Sequence, residues 1–324
     1  MQQPNFQTRL LPSLAGVALI ATAFLVTSCT PPPPTTSQAP TSPATSAGAT
    51  ATPTPIPVPV VTPPANLPPA AAGVSWLPMG SVLHGTHVTY VGQVHRSQIA
   101  LLWMNSQALR FRFIPGTVIP ESSPATPADN SPSTWVPQMV AAFNGGFMLL
   151  DIHPGGYFYH GTTVKALAVG QAAMVLTRSG QLNVGMWGRD LRLNADVVAV
   201  RENLPLLVDG YLDRAGTLRG KGAWGRSSQG PLTSNRSALG QLANGNLVYE
   251  YGYHVTPEQM AQSMLLVHAK SAIMLDMNGS WPAGFVYWHS KGQIHGQRIQ
   301  SHVYHSPSLY YTRYRKDFIA VLAP

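Results

Sequence analysis

Residues 256–280 read TPEQMAQSMLLVHAKSAIMLDMNGS, and this stretch decides the fold class. Thr256 offers a hydroxyl to the first turn of a helix, Pro257 takes the first helical position, and Gln259 stands where a capping box returns a side chain to the cap. Met260, Ala261, Met264, Leu265 and His268 then recur at helical spacing, so one face of the helix packs down. The next residues, SAIMLD at 271–276, read as a buried strand ending in an acid. A helix feeding such a strand implies an α/β arrangement with Asp276 at the strand's C-terminal end, and ligands commonly bind beyond that edge of an α/β sheet.

Outward from this unit, short β-rich runs bounded by Gly, Pro, Asn or Ser recur: HVTYV at 87–91, QIALLWM at 98–104, ALRFRFI at 108–114, MVAAF at 139–143, AAMVLT at 172–177 and NLVYEY at 246–251. ESSPATPADNSPST, 121–134, reads as a polar surface loop, and Asn244-Gly245 as a hairpin turn. The expectation is one α/β (α+β) domain over 71–324, with a mixed sheet, many strands and few helices. No GxxxxGK[ST], HExxH or GxSxG occurs, so the common nucleotide and hydrolase signatures are missing.

Three segments end a strand-like run with polar residues and glycines. In AAFNGGF, 141–147, Asn144 closes the strand and Gly145-Gly146 lets the backbone turn with its amides toward an anion or a sugar; a plain tight turn explains the same residues equally well. In SNRSALG, 234–240, Arg236 starts a strand with its planar fork near the sheet edge, suited to phosphate or to a surface ion pair. In MLDMNGS, 274–280, Asp276 is followed by the amide of Asn278, the flexible Gly279 and the hydroxyl of Ser280. Such an acid can protonate a leaving oxygen, activate water, hold a divalent ion together with Asn278, or simply cap a turn.

The N-terminus carries a different message. Arg9 precedes the apolar run LLPSLAGVALIATAFLV, 10–26, and small residues lead to Cys29, the pattern of a secretory signal; an uncleaved transmembrane anchor is the alternative. VTSC at 26–29 resembles the lipobox of bacterial lipoproteins, which implies a signal over 1–28, lipid on Cys29, export, and attachment to a membrane. Cys29 is the only cysteine, so disulfides and thiol catalysis are excluded for the domain. The segment from Cys29 to residue 70 is Pro, Thr, Ser and Ala without charge, a disordered spacer that cannot form a core. The formal net charge of +8 therefore falls almost wholly on 71–324 and favours anionic partners. The charges are scattered; RYRK at 313–316 is the one tight cluster and reads as a solvated basic face, so nucleic acid is not an expected partner.

Together, AAFNGGF, GGYFYHG at 155–161, RENLPLLVDG at 201–210, RSALG with its hairpin, TPEQMA and LDMNGS resemble the phosphodiester glycosidase family over about 87–321. The resemblance implies hydrolysis of a sugar-1-phosphodiester in a phosphate-linked glycan or cell-envelope polymer, with no required cofactor. It assigns Asp276, Arg236 and Asn144 as catalytic residues and Gly145, Gly146, Gly279 and Ser280 as binding residues; beside them, Asn278 is expected to bind substrate through its amide and Trp281 to stack on a sugar. The family's glycine run after the acid is replaced here by Met277 and Asn278, which reshapes the pocket floor. Asp209 is a weaker second carboxylate and more simply a turn residue; His153, His160 and His254 lie beside the matched segments. The competing reading is a non-catalytic lipoprotein of the same fold that binds glycan or cell wall.

Overall fold

In the computed structural model, residues 67, 73–118, 131–152, 154–218, 223–225 and 233–324 are described. The expectations for the signal, Cys29, the spacer and His153 lie outside them.

The apolar runs become strands of an α+β fold that is mostly β. An eight-stranded main sheet has the order Val74–Pro78, Thr89–Val94, Ile99–Met104, Leu247–Val255, Ser234–Leu242, Ala269–Met277, Leu206–Asp209, Leu212–Asp213. A second sheet runs Gln293–Arg298, Gly284–Ser290, Met139–Asn144, Phe318–Leu322, Arg110–Ile114, and a third runs Leu182–Met186, Ala172–Thr177, Val197–Glu202, Tyr157–Tyr159, Thr162–Lys165. Neighbouring strands in all three pair antiparallel, so the mixed sheet expected from the helix-to-strand unit does not form. The reason is the crossover: the helix carries the chain from Leu247–Val255 over the intervening Ser234–Leu242 to Ala269–Met277, so the two parallel strands never share a ladder.

Thr256 caps that helix, Pro257–Leu266, as its sequence requires: Gln259 N donates to Thr256 Oγ1 at 3.3 Å and Thr256 N to Gln259 Oε1 at 2.9 Å. The helix buries Met260, Ala261 and Met264, each fully buried methionine stabilising by roughly 1.5–3 kcal/mol. Gly252 and Gly240 make this approach possible, because a Cβ at either would run into Met260 or Met264. His268, read from spacing as part of the helical face, instead follows the helix end, exposed at φ 58° where the chain reverses.

Antiparallel partners share a face of a sheet and adjacent residues do not. Gly240 and Gly252 touch the helix, so their face of the main sheet is the helix-covered one. Tyr249 lies on the other face and stacks on Phe143 of the second sheet, with centroids 4.9 Å apart. The core between these two sheets positions the candidate site.

Candidate active site

Three strands of different origin end together. Ala269–Met277 brings Asp276, Met139–Asn144 brings Asn144, and Phe318–Leu322 starts directly after Lys316 and Asp317. Asn144 pairs with Phe318, and Asp276 with Ser237.

Asn144 is the joint. Its amide donates to Ser237 Oγ at 2.9 Å and to Gly145 O at 2.9 Å, and its oxygen accepts from Tyr249 OH at 2.8 Å and Ala283 N at 3.1 Å. Both donors and both acceptor positions are thereby used, which ties the second sheet to the main one.

Asp276 is buried, and its carboxylate accepts from Met277 N at 2.8 Å and from the equally buried Lys316 ammonium. Burial pushes the Asp276 carboxyl above its usual range, and Lys316 offsets part of that rise. The Lys316 ammonium also sits 4.6 Å from the centroid of the half-buried Trp281 ring, a cation–π contact. RYRK therefore divides. Arg313 and Arg315 are exposed as expected, while Lys316 is the counter-ion of the acid.

The backbone between acid and tryptophan turns through two left-handed residues, Asn278 at φ 70° and Gly279 at φ 45°. Asparagine is among the few side-chain-bearing residues that adopt this conformation readily, so Asn278 keeps a turn that glycine would otherwise make. Its amide donates to Asn235 O at 2.9 Å, its side-chain oxygen accepts from Ser234 Oγ at 3.1 Å, and Trp281 N closes the turn on Asn278 O at 3.2 Å. Gly279 is exposed and Ser280 half-buried at the tip.

Asp317, next in the chain, is a second buried acid. Its carboxylate pairs with Arg201 Nε at 3.1 Å, and its backbone oxygen takes the Gly145 amide at 2.9 Å. The Gly146 amide reaches Asp317 Oδ2 at 3.4 Å, and the Phe147 amide donates to Asn203 Oδ1 at 3.2 Å. The amides that the sequence offered to an anion are thus taken up inside the protein. The two glycines serve close approach: a Cβ at Gly145 would overlap the Asp317 carboxylate, and one at Gly146 would meet Asn203 Oδ1.

Arg236 is not brought to Asp276. It pairs with Met277 and so lies on the helix-covered face, whereas Asp276 and Ser237 face the second sheet. Its Nε donates to Val255 O at 3.2 Å and Nη1 to Trp224 O at 2.9 Å, and two methionine sulfurs, Met274 and Met277, lie against it. Burial lowers its pKa to about 10, and the charge of Glu258 offsets part of that fall.

Asp209 stands at the far end of the acid's neighbouring strand, paired with Ser271, and ion-pairs with Arg189 at 2.6 Å. His160 is an exposed left-handed turn residue at φ 45°, and His254 an exposed left-handed residue at φ 52° where the strand Leu247–Val255 loses its regular register. Among the described residues, no group of three or more His, Cys, Asp or Glu side chains is placed to hold a metal ion. The oxygens named for a divalent ion are engaged by Met277, Lys316 and Ser234.

Sequence reading missed Lys316, Asp317, Arg201 and Asn203. The signal available was KD at 316–317 immediately before the apolar run FIAVL, a charge pair at the mouth of a strand.

No family profile and no curated protein matches the chain. Among solved structures, the catalytic domain of zebrafish N-acetylglucosamine-1-phosphodiester alpha-N-acetylglucosaminidase, auto-inhibited by its pro-peptide, is similar at 15% identity and a TM-score of 0.45, with 78% of this chain and 82% of that one covered. A hypothetical protein from Synechocystis is similar at 12% identity and a TM-score of 0.40, covering 78% of this chain and 62% of that one.

Proposed function

We propose that this chain is a hydrolase of sugar-1-phosphodiester bonds, acting outside the cytoplasm on a phosphate-linked glycan or envelope polymer and held to a membrane through lipid on Cys29. The observation that carries the reading is the buried Asp276–Lys316 pair beneath Trp281 at the shared end of two sheets. An acid whose pKa is raised by burial is suited to taking a proton from water, and an ammonium beside it offers charge to a phosphodiester. The sequence resemblance of LDMNGS and its companion segments to phosphodiester glycosidases supports the same chemistry.

In the proposed reaction the diester's phosphate engages Lys316, which loosens its hold on Asp276. Water attacks the anomeric carbon, Asp276 takes the water's proton, and the bond from that carbon to the phosphate oxygen breaks. Free sugar and a phosphomonoester leave. Phosphate departs readily from an acetal carbon, so no second acid is required. Trp281 stacks on the sugar face. Asn144, Gly145 and Gly146 hold the sheet ends in place, Arg236 pins the strand from its other face, and Asn278, Gly279 and Ser280 form the turn that aims Trp281. No cofactor takes part, so a chelator should leave the rate unchanged; loss of activity with EDTA that added Mg²⁺ or Ca²⁺ restores would place a metal in the mechanism.

The second reading, a non-catalytic glycan-binding protein, is favoured by one fact: both Asp276 oxygens are already engaged. Full-length protein incubated with a panel of sugar-1-phosphodiesters separates the two. Hydrolysis should release free sugar and fall by about 10²–10⁴-fold in Asp276→Asn. Glycan binding with no cleavage of any diester establishes the second reading instead.

A further inference from the structure

About 19 Å from Asp276 along the sheet, a groove of about 660 Å³ opens where the edge of the second sheet meets the main one. The distance follows from the ladder: Asp276 pairs with Ser237, Ser237 with Tyr251, Tyr251 with Ala100 and Ala100 with Gln93 of the groove, four steps of about 4.8 Å on one face. Tyr251 also ties the groove to that face, its hydroxyl donating to His302 O at 2.9 Å.

The lining is rich in amides. Gln93, Gln98, Gln297 and Gln300 surround the groove with Arg298 and His302, and no carboxylate lines it. Gln93 spends its amide hydrogens on Val94 O, Ser97 O and Ile99 O and leaves its oxygen. Gln300 does the reverse, its oxygen accepting from His302 while its amide hydrogens stay available. Gln98 and Gln297 are exposed, and among the described residues their side chains carry no hydrogen bond. The His302 ring lies flat on Tyr253 at 3.9 Å and 17°, which fixes it as a platform. Arg298 is exposed, held through Nε to His305 O at 2.7 Å, with the rest of its fork unspent on any carboxylate.

Paired donors and acceptors on neutral amides match adjacent hydroxyls of a sugar, and a fixed ring matches a sugar's apolar face. An apolar ligand would leave those amides unsatisfied. A free anion would need only the arginine. We propose that this groove is a carbohydrate subsite, holding a sugar unit of a glycan chain with Arg298 facing a neighbouring phosphate of the same chain. The inference rests on the hydrolase reading and sharpens it: the glycosyl diester that is cleaved belongs to a phosphate-linked polymer spanning several units.

Affinity electrophoresis of the full-length protein tests this, in gels cast with neutral mannan, dextran, β-1,3-glucan, galactan or phosphomannan. At least one neutral gel should retard the protein, and phosphomannan should also do so. The exposed pair Gln98→Ala/Gln297→Ala should weaken the retardation by on the order of tenfold. No retardation in any gel overturns the subsite, as does retardation that the double variant leaves unchanged. So does retardation by phosphomannan alone that Arg298→Ala abolishes and the glutamine variant does not, which marks a simple anion site. Cleavage of a small glycosyl phosphodiester is followed on the same samples. Cleavage intact without polymer binding removes only the subsite; polymer binding with no cleavage removes only the hydrolase.

Discussion

Asp276 and Lys316 illustrate how a buried pair can serve chemistry without adding much to stability. Taking both charges out of water costs about as much as their attraction returns, but removing one partner leaves the other uncompensated, at a cost of about 3–5 kcal/mol. Lys316→Met alone should therefore destabilise the protein by about that amount, whereas the double variant Asp276→Asn/Lys316→Met should recover most of it. Urea denaturation of the single and double variants checks this; additive losses would mean that the two groups are not coupled. Glu250 gives a different residue-scale test. It is fully buried, hydrogen-bonded by Ser263, and held well above its usual pKa by desolvation. A carboxyl whose folded pKa is raised keeps its proton longer in the native state than in the unfolded chain. Its contribution to stability is thus fully present below the ordinary carboxylate range and declines as pH rises through the folded pKa. Glu250→Gln should flatten that decline, measured as unfolding free energy across the acid-to-neutral range. An unchanged slope would contradict the assignment.

The elements show which features the sequence disclosed. Thr256, Pro257 and Gln259 sit close together in the chain, and a cap is a local device, so the helix start was legible; Thr256→Ala should cost about 1 kcal/mol, read from chemical denaturation. The strands were legible for the same reason, from alternation and punctuation. Asp276 at a strand end followed from the run SAIMLD. The sheet pairing did not, because the strand between the two parallel ones lies earlier in the chain and no local signal announces it. The faces of Arg236 and Asp276 were equally hidden: the first depends on which layer covers which side, and the second on a bulge at Leu275, opposite Ser237 and Ala238, that turns Asp276 away from the face of Met274. The Asn278 turn is a testable element. Asn278→Gly should keep the fold, while Asn278→Val, forced to φ near 70°, should cost about 1–3 kcal/mol and displace Trp281. Tryptophan fluorescence together with the denaturation midpoint distinguishes the two, and equal behaviour would remove the backbone argument.

At the scale of the molecule, the site is a meeting of sheets rather than a motif. The strand Val197–Glu202 of the third sheet sends Arg201 to Asp317; the second sheet sends Asn144, Lys316 and Asp317; the main sheet sends Asp276. Residues from 144 to 317 converge, which is why the charge cluster 313–316 read as a plain basic face when only its neighbours in sequence were considered. The amide-lined groove opens where the edge of the second sheet meets the main one, beyond the buried Tyr251. The central claim concerns which bond breaks at Asp276. Hydrolysis of a glycosyl phosphodiester in ¹⁸O-labelled water, with products read by mass spectrometry, tests it most directly. Attack at the anomeric carbon predicts the label in the released sugar and none in the phosphomonoester, with the labelled sugar lost in Asp276→Asn. Label in the phosphate, or labelled sugar undiminished in that variant, would contradict the account.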